Sequence, residues 1–180
     1  MIVTISGMPG SGKTLVGRLL AKRLGYIFYS VGDLRGAIAM EMGITIDDLN
    51  ELGKREDWTD RRVDEKIRKL AERNENMVVD GWVAFHFIPR SFKVFLGVDR
   101  KVAAGRVFRD QRKDEKKVHS VAELSKMLQM RVMGDKIRWK RYYGIDFLDR
   151  KNYDLVIDTT RLKPAQVVDK IIRAIGKEAD

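Results

Sequence analysis

The chain of 180 residues has no cysteine, only three prolines and only two histidines. Without cysteine it forms no disulfide, which accords with a reducing compartment. No run approaches the roughly 20 apolar residues of a membrane span, so no membrane partner is expected. Met1 leads straight into a β-branched run, so no signal peptide is expected. Pro164 stands where a last helix would begin, a position that tolerates its missing N–H. His86 lies in an apolar stretch and His119 beside a charged one, and both read as structural. There are no internal repeats and no low-complexity segments. The length suits one domain over 1–180 with a sizeable core.

Positive charge is abundant. The formal net charge is +10, and residues 101–150 carry fourteen Lys and Arg against seven Asp and Glu. Most of the excess therefore lies in one segment. Such a balance suits a site for polyanionic small molecules or a nucleic-acid surface, so RNA stands as a possible partner.

The informative stretch is at the start. Residues 2–6 (IVTIS) read as a buried strand, and 14–24 (TLVGRLLAKRL) read as an amphipathic helix. Between them Gly7, Met8, Pro9, Gly10, Ser11, Gly12, Lys13 and Thr14 fill every fixed position of the phosphate-loop pattern G-x-x-x-x-G-K-[ST]. Glycines let successive N–H groups converge on one anion, and the helix N-terminus adds partial positive charge. Lys13 is expected to reach the terminal phosphates of a nucleoside triphosphate, and Thr14 to ligate Mg²⁺. The alternative is a glycine-rich turn with no ligand. Availability of ATP points to a cytoplasmic protein.

Further strands are expected near 26–30, 76–81, 92–96 and 153–158. Helices are expected from about 31 to 42, at 45–49, from 59 to 74, from 99 to 109, from 120 onward and from 164, with Ser30 or Asp33 capping the first of these. Alternating strands and helices imply a parallel α/β sheet with right-handed crossovers. Asp80 ends a strand, where an acid can organise Mg²⁺ beside the loop or simply serve a turn. Asp60 and Asp64 share a helix face, which weakly favours a ligand role for one of them. On the helix after Ser120, Arg131 and Arg138 fall on the same side as Leu124, Leu128 and Trp139. An arginine facing a core needs an anion, either a carboxylate such as Asp135 or a bound phosphate. Met130, Met133 and Ile137 fall on the opposite side and are expected in the core. Residues 110–117 (DQRKDEKK) are charge-dense, a lid candidate or a solvated loop.

Taken together, the phosphate loop, Ser30-Val31-Gly32-Asp33, the stretch from Arg131 to Asp146 ending RYYGID, and residues 153–159 (YDLVIDT) resemble the archaeal-type cytidylate kinases, phosphate-loop nucleoside monophosphate kinases. The resemblance runs nearly end to end. It implies a five-stranded parallel sheet flanked by helices, a monophosphate-binding region at 31–75 and a short lid at 110–118. It also implies ATP and Mg²⁺ as cofactors and a monomer that transfers the ATP γ-phosphate to a nucleoside 5′-monophosphate, most readily CMP or dCMP. On that reading Lys13, Arg109, Arg131 and Arg138 are catalytic. Ser30, Asp33, Arg35, Asp60 and Asp80 bind the acceptor, and Thr14 and Asp80 serve the metal. The family pattern is broken at four places. Gly36 stands where an arginine is expected, Trp82 replaces another, Glu65-Lys66-Ile67 occupy the base-reading end of a helix, and Val132 and Gly134 replace polar residues. None lies in the phosphate loop. A nucleic-acid- or protein-associated NTPase, or a kinase for another acceptor, is the competing reading.

Overall fold

The computed structural model describes residues 1–110 and 118–178. The lid candidate at 110–118 therefore falls largely outside the described residues. Five strands form the sheet: β1 (Ile2–Gly7), β2 (Ile27–Ser30), β3 (Met77–Asp80), β4 (Phe92–Gly97) and β5 (Leu155–Asp158). Their order is β2-β3-β1-β4-β5, and every neighbouring pair is parallel. β1 lies at the centre with all six residues buried, as its β-branched run leads one to expect.

Helices cover both faces. α1 (Lys13–Leu24) and α8 (Pro164–Glu178) pack on one, through Val16, Leu20, Val167 and Ile171 against Val3, Ile5 and Val94. On the other lie α2 (Val31–Glu41), α3 (Ile46–Gly53), α4 (Trp58–Arg73) and the short α5 (Ala84–Phe87). Here Ile38, Leu49, Val63 and Ile67 meet Ile2, Met77 and Val79. α6 (Arg100–Arg109) and α7 (Val121–Tyr143) complete the order, with a 3₁₀ turn at Arg150–Asn152 before β5. An aromatic cluster of Phe85, Phe95, Trp139, Phe147 and Tyr153 joins α5, β4 and α7.

The ends behave as the sequence suggests. Gly25 closes α1 in a left-handed conformation at φ 68°. Ser30, rather than Asp33, caps α2, its Oγ accepting the Asp33 N–H. Thr45 and Asp48 make a reciprocal capping box on α3. The register sets Ser30 opposite Asp80, Asp80 opposite Ile5, and Gly7 opposite Leu96. The C-terminal strand ends thus converge on one edge, where ligands of open parallel sheets bind.

One expectation is corrected. Met130, Met133 and Ile137 are not core residues: they are 75%, 58% and 67% exposed. The helical period is right, but α7 lays its Arg131 and Arg138 face inward and leaves the methionine face uncovered. Helix α5 also went unforeseen, because four residues are too few to show a period.

Replacing Leu20, fully buried against the sheet, by alanine is expected to cost about 2–5 kcal/mol. Met130→Gln on the uncovered face is expected to change stability by no more than about 0.5 kcal/mol. Urea unfolding of both variants checks this; equal losses would put Met130 in the core.

Candidate active site

Backbone geometry shapes the loop between β1 and α1. Gly7 and Gly10 adopt φ 145° and 73°. A Cβ on Gly7 would stand 2.2 Å from the Leu96 carbonyl oxygen, and one on Gly10 would stand 2.7 Å from that of Ala103. The loop is therefore pressed against β4 and α6 so closely that no side chain fits. Arg106, which sequence reasoning passed over as a site residue, straps it in place. Its guanidinium donates to the carbonyls of Thr159 at 2.9 Å and Thr160 at 3.2 Å, and more loosely to Gly10 at 3.4 Å. Thr159 Oγ1 in turn donates to Ser11 O at 3.1 Å.

Lys13 Nζ folds back onto its own loop, donating to Gly7 O and Met8 O, both at 3.0 Å. It sits 5.4 Å from the centre of the Trp82 ring. Burial pulls its pKa down to about 8, although Asp80 opposes the shift. Thr14 Oγ1 donates to Asp80 Oδ2 at 2.5 Å. A hydroxyl and a carboxylate so placed are hard oxygen donors of the kind Mg²⁺ takes, and Mg²⁺ keeps waters and substrate phosphates as its other ligands. The residues present thus fit that ion. Among the described residues no group of three or more His, Cys, Asp and Glu forms a metal site. Ser11 Oγ is buried and finds no hydrogen bond among the described residues.

A cavity of about 250 Å³ opens beside the loop. It gathers Pro9, Gly10, Lys13 and Thr14 with Ser30, Arg35, Asp60, Asp80, Arg131 and Arg138, so most of the expected site residues meet there. Two do not. Asp33 is turned outward, paired with Arg18 at 3.0 Å where both are about half exposed. Arg109 is exposed and donates to Gly105 O one turn back in its own helix.

Arg35 lines the cavity, but its donors are committed. Nε reaches Asn50 Oδ1 at 2.8 Å, Nη1 reaches Asp60 Oδ1 at 2.6 Å, and Nη2 reaches Leu49 O at 3.1 Å. This guanidinium clamps α2 to α3 and α4. Asp60 Oδ2 faces Arg138 Nε at 3.4 Å, and Arg138 Nη2 holds Asp135 at 2.8 Å. A carboxylate partner for Arg138, one of the two alternatives raised by the sequence, is therefore present. Even so, Arg138 Nε and Asp60 Oδ2 are buried without a well-formed hydrogen bond. Asp64 lines the cavity one turn beyond Asp60 and accepts a short hydrogen bond from the Tyr143 hydroxyl. Trp82 packs between Trp139 and Phe147, at ring distances of 5.4 and 4.9 Å, while still lining the cavity. The residue that replaces an expected arginine is thus part wall and part core. Asn50 carried no local motif, and only the tertiary contacts bring it in.

Because Asp60 serves two buried arginines, Asp60→Ala is expected to destabilise the fold by about 3–5 kcal/mol. Denaturant titration measures this, and a loss under about 1 kcal/mol would show the pairs to be dispensable.

Comparison with known proteins agrees with this geometry. Residues 2–161 match the model of the cytidylate kinase-like family. A cytidylate kinase from Methanocella arvoryzae is 31% identical over 98% of this chain and 98% of its own. An S-adenosylmethionine-dependent nucleotide dehydratase from Lacinutrix mariniflava is 38% identical over 97% of this chain, which spans only 36% of that relative. The crystal structure of shikimate kinase from Aquifex aeolicus superposes with a TM-score of 0.63 at 21% identity, over 99% of this chain and 98% of that one. That likeness shows the phosphate-loop kinase fold alone. The phosphate loop, the strand order and the family match converge on one statement: the chain belongs to the cytidylate kinase-like family.

Proposed function

We propose that the protein transfers the γ-phosphate of ATP to a nucleoside 5′-monophosphate, with CMP or dCMP as the preferred acceptor. The observation that carries this reading is the single cavity in which Lys13 and Thr14 of the phosphate loop face Arg131 and Arg138 of α7. Donor and acceptor phosphates must meet between such groups. Phosphoryl transfer asks for positioning and charge neutralisation rather than covalent help from the protein.

In this reading the loop amides cradle the donor phosphates. Lys13 exchanges its two loop carbonyls for phosphate oxygens, which suits a lysine held in place but weakly satisfied. Thr14 and Asp80 hold Mg²⁺, which neutralises charge on the phosphates when bound. Arg131 and Arg138 balance the transferring group, and the buried Arg138 Nε supplies a donor without a competing hydrogen bond. Arg35 and Asp60 act by holding the acceptor wall, while Ser30 lies at its edge. Asp33 and Arg109 stand apart from the cavity, so a role for either requires movement toward it.

The test offers CMP, dCMP, UMP, AMP, GMP and dTMP separately with labelled ATP and Mg²⁺. A labelled cytidine diphosphate with little free phosphate is expected. Hydrolysis of ATP stimulated by RNA, with no diphosphate formed, would favour the NTPase reading that the +10 charge allows. Lys13→Ala is expected to abolish transfer with the fold retained. Arg131→Ala is expected to lower turnover about 10³-fold or more while the unfolding midpoint stays near that of the parent. Unchanged turnover would make Arg131 structural.

A second reading follows from the 38% identical dehydratase. There a related segment is part of a larger protein named for nucleotide dehydration, so this chain would phosphorylate nucleotides for a separate nucleotide-modifying enzyme. The same assay decides the first step, since both readings require a phosphorylated nucleotide product.

A further inference from the structure

We propose that Asp64, oriented by the Tyr143 hydroxyl, reads the Watson–Crick edge of the acceptor base and selects bases that set an exocyclic amino group beside an unprotonated ring nitrogen. The proposal rests on the nucleotide-kinase reading above and adds the rule by which the base is chosen. Cytosine and adenine carry that edge; uracil, thymine and guanine present an oxo group beside a ring N–H instead.

The placement carries the argument. Asp60 is used up between Arg35 and Arg138, whereas Asp64, one turn further along α4, lines the cavity beside Val63, Ile67 and Phe87. These three apolar side chains form walls against which a flat ring can lie. Among the described residues Asp64 makes one hydrogen bond, from Tyr143 to Oδ2, which leaves Oδ1 and the second lone pair of Oδ2 for a ligand. The groups facing it are Asp60 and Arg68 on α4, Arg35 on α2, and Tyr143 on α7. Arg138 on α7 acts on Tyr143, and His86 on α5 lies 5.9 Å from the Tyr143 ring. Burial is the strongest of these influences and pushes the Asp64 carboxyl up to about 7. Burial and the Asp64 bond push the Tyr143 phenol far up, so it stays a donor. With Tyr143 donating to Oδ2, the carboxyl proton belongs on Oδ1. Asp64 then shows a donor and an acceptor side by side, the complement of cytosine N3 and N4–H₂. Uracil brings its N3–H against the Oδ1 proton, and a mispaired buried polar group is costly. Once Asp64 ionises, Oδ1 accepts from uracil N3–H and the discrimination weakens.

The experiment measures kcat/KM and ligand affinity for CMP and UMP from about pH 5.5 to 8.5, the window that brackets the Asp64 titration. AMP and GMP serve as a second amino and oxo pair. The CMP/UMP ratio is expected to fall about tenfold as pH rises through 7. Asp64→Asn keeps the donor–acceptor pair without titrating, so its preference for CMP should persist and become flat with pH. Tyr143→Phe removes a hydrogen bond that holds the Asp64 pKa down, so the inflection should move to higher pH. Asp64→Leu should lose the preference. Burial holds the His86 pKa below 6.5, so His86 supplies no inflection at 7. A ratio flat with pH in the parent, or a pH profile that Asp64→Asn and Tyr143→Phe variants that fold leave unchanged, would overturn the proposal and leave the kinase reading standing. Absence of transfer to any monophosphate would overturn both.

Discussion

A single buried carboxylate holds the helical wall of the cavity together. Asp60 stands between the guanidinium groups of Arg35 and Arg138, all three almost wholly removed from solvent. Two cations this close repel, and burial raises the cost of each. The carboxylate offsets that cost and makes the contact attractive. Through it α2, α3 and α4 are tied to α7, which approaches from the far side of the sequence. Gly53 leaves the room this needs: a Cβ there would stand 2.8 Å from Arg35 Nη2 and 3.1 Å from Arg138 Nη1. The cavity wall follows from this cluster. Asp135 extends it toward Arg131, and Asp64 continues it along α4.

The phosphate-loop side of the cavity depends on something else. There the backbone itself is the binding element, and its shape comes from glycines packed against β4 and α6. Arg106 and Thr159 then tie the loop to the segment after β5. The two halves of the site thus differ in physical character. One is local and made of main chain. The other is assembled from four helices and made of charged side chains whose partners lie up to 79 positions away.

The strands were legible because β-branched runs bounded by turn residues have few other outcomes, and the capping residues Ser30, Thr45 and Ser120 announce their helices. Wherever one helix carries apolar residues on two faces, periodicity alone cannot tell which face is covered. Helix α7 is the case in point. Leu124 and Trp139 are buried, while Met130 and Ile137 are exposed. Arg35 illustrates a different limit. The family resemblance put it among the acceptor-binding residues, yet tertiary packing surrounds it with Asn50, Leu49 O and Asp60, which satisfy it within the fold.

The sequence by itself determined the parallel α/β architecture and the phosphate loop. A contiguous motif carries the glycines, Lys13 and Thr14 of that loop, although its packing against Leu96 and Ala103 belongs to the assembled fold. Only the tertiary structure decided which charged side chains face the cavity and which pair with each other. Lys13 with Trp82, Asp60 with two arginines, and Asp64 with Tyr143 are contacts between distant segments. Their burial and pKa values arise from desolvation, a property of the assembled protein rather than of any stretch of chain.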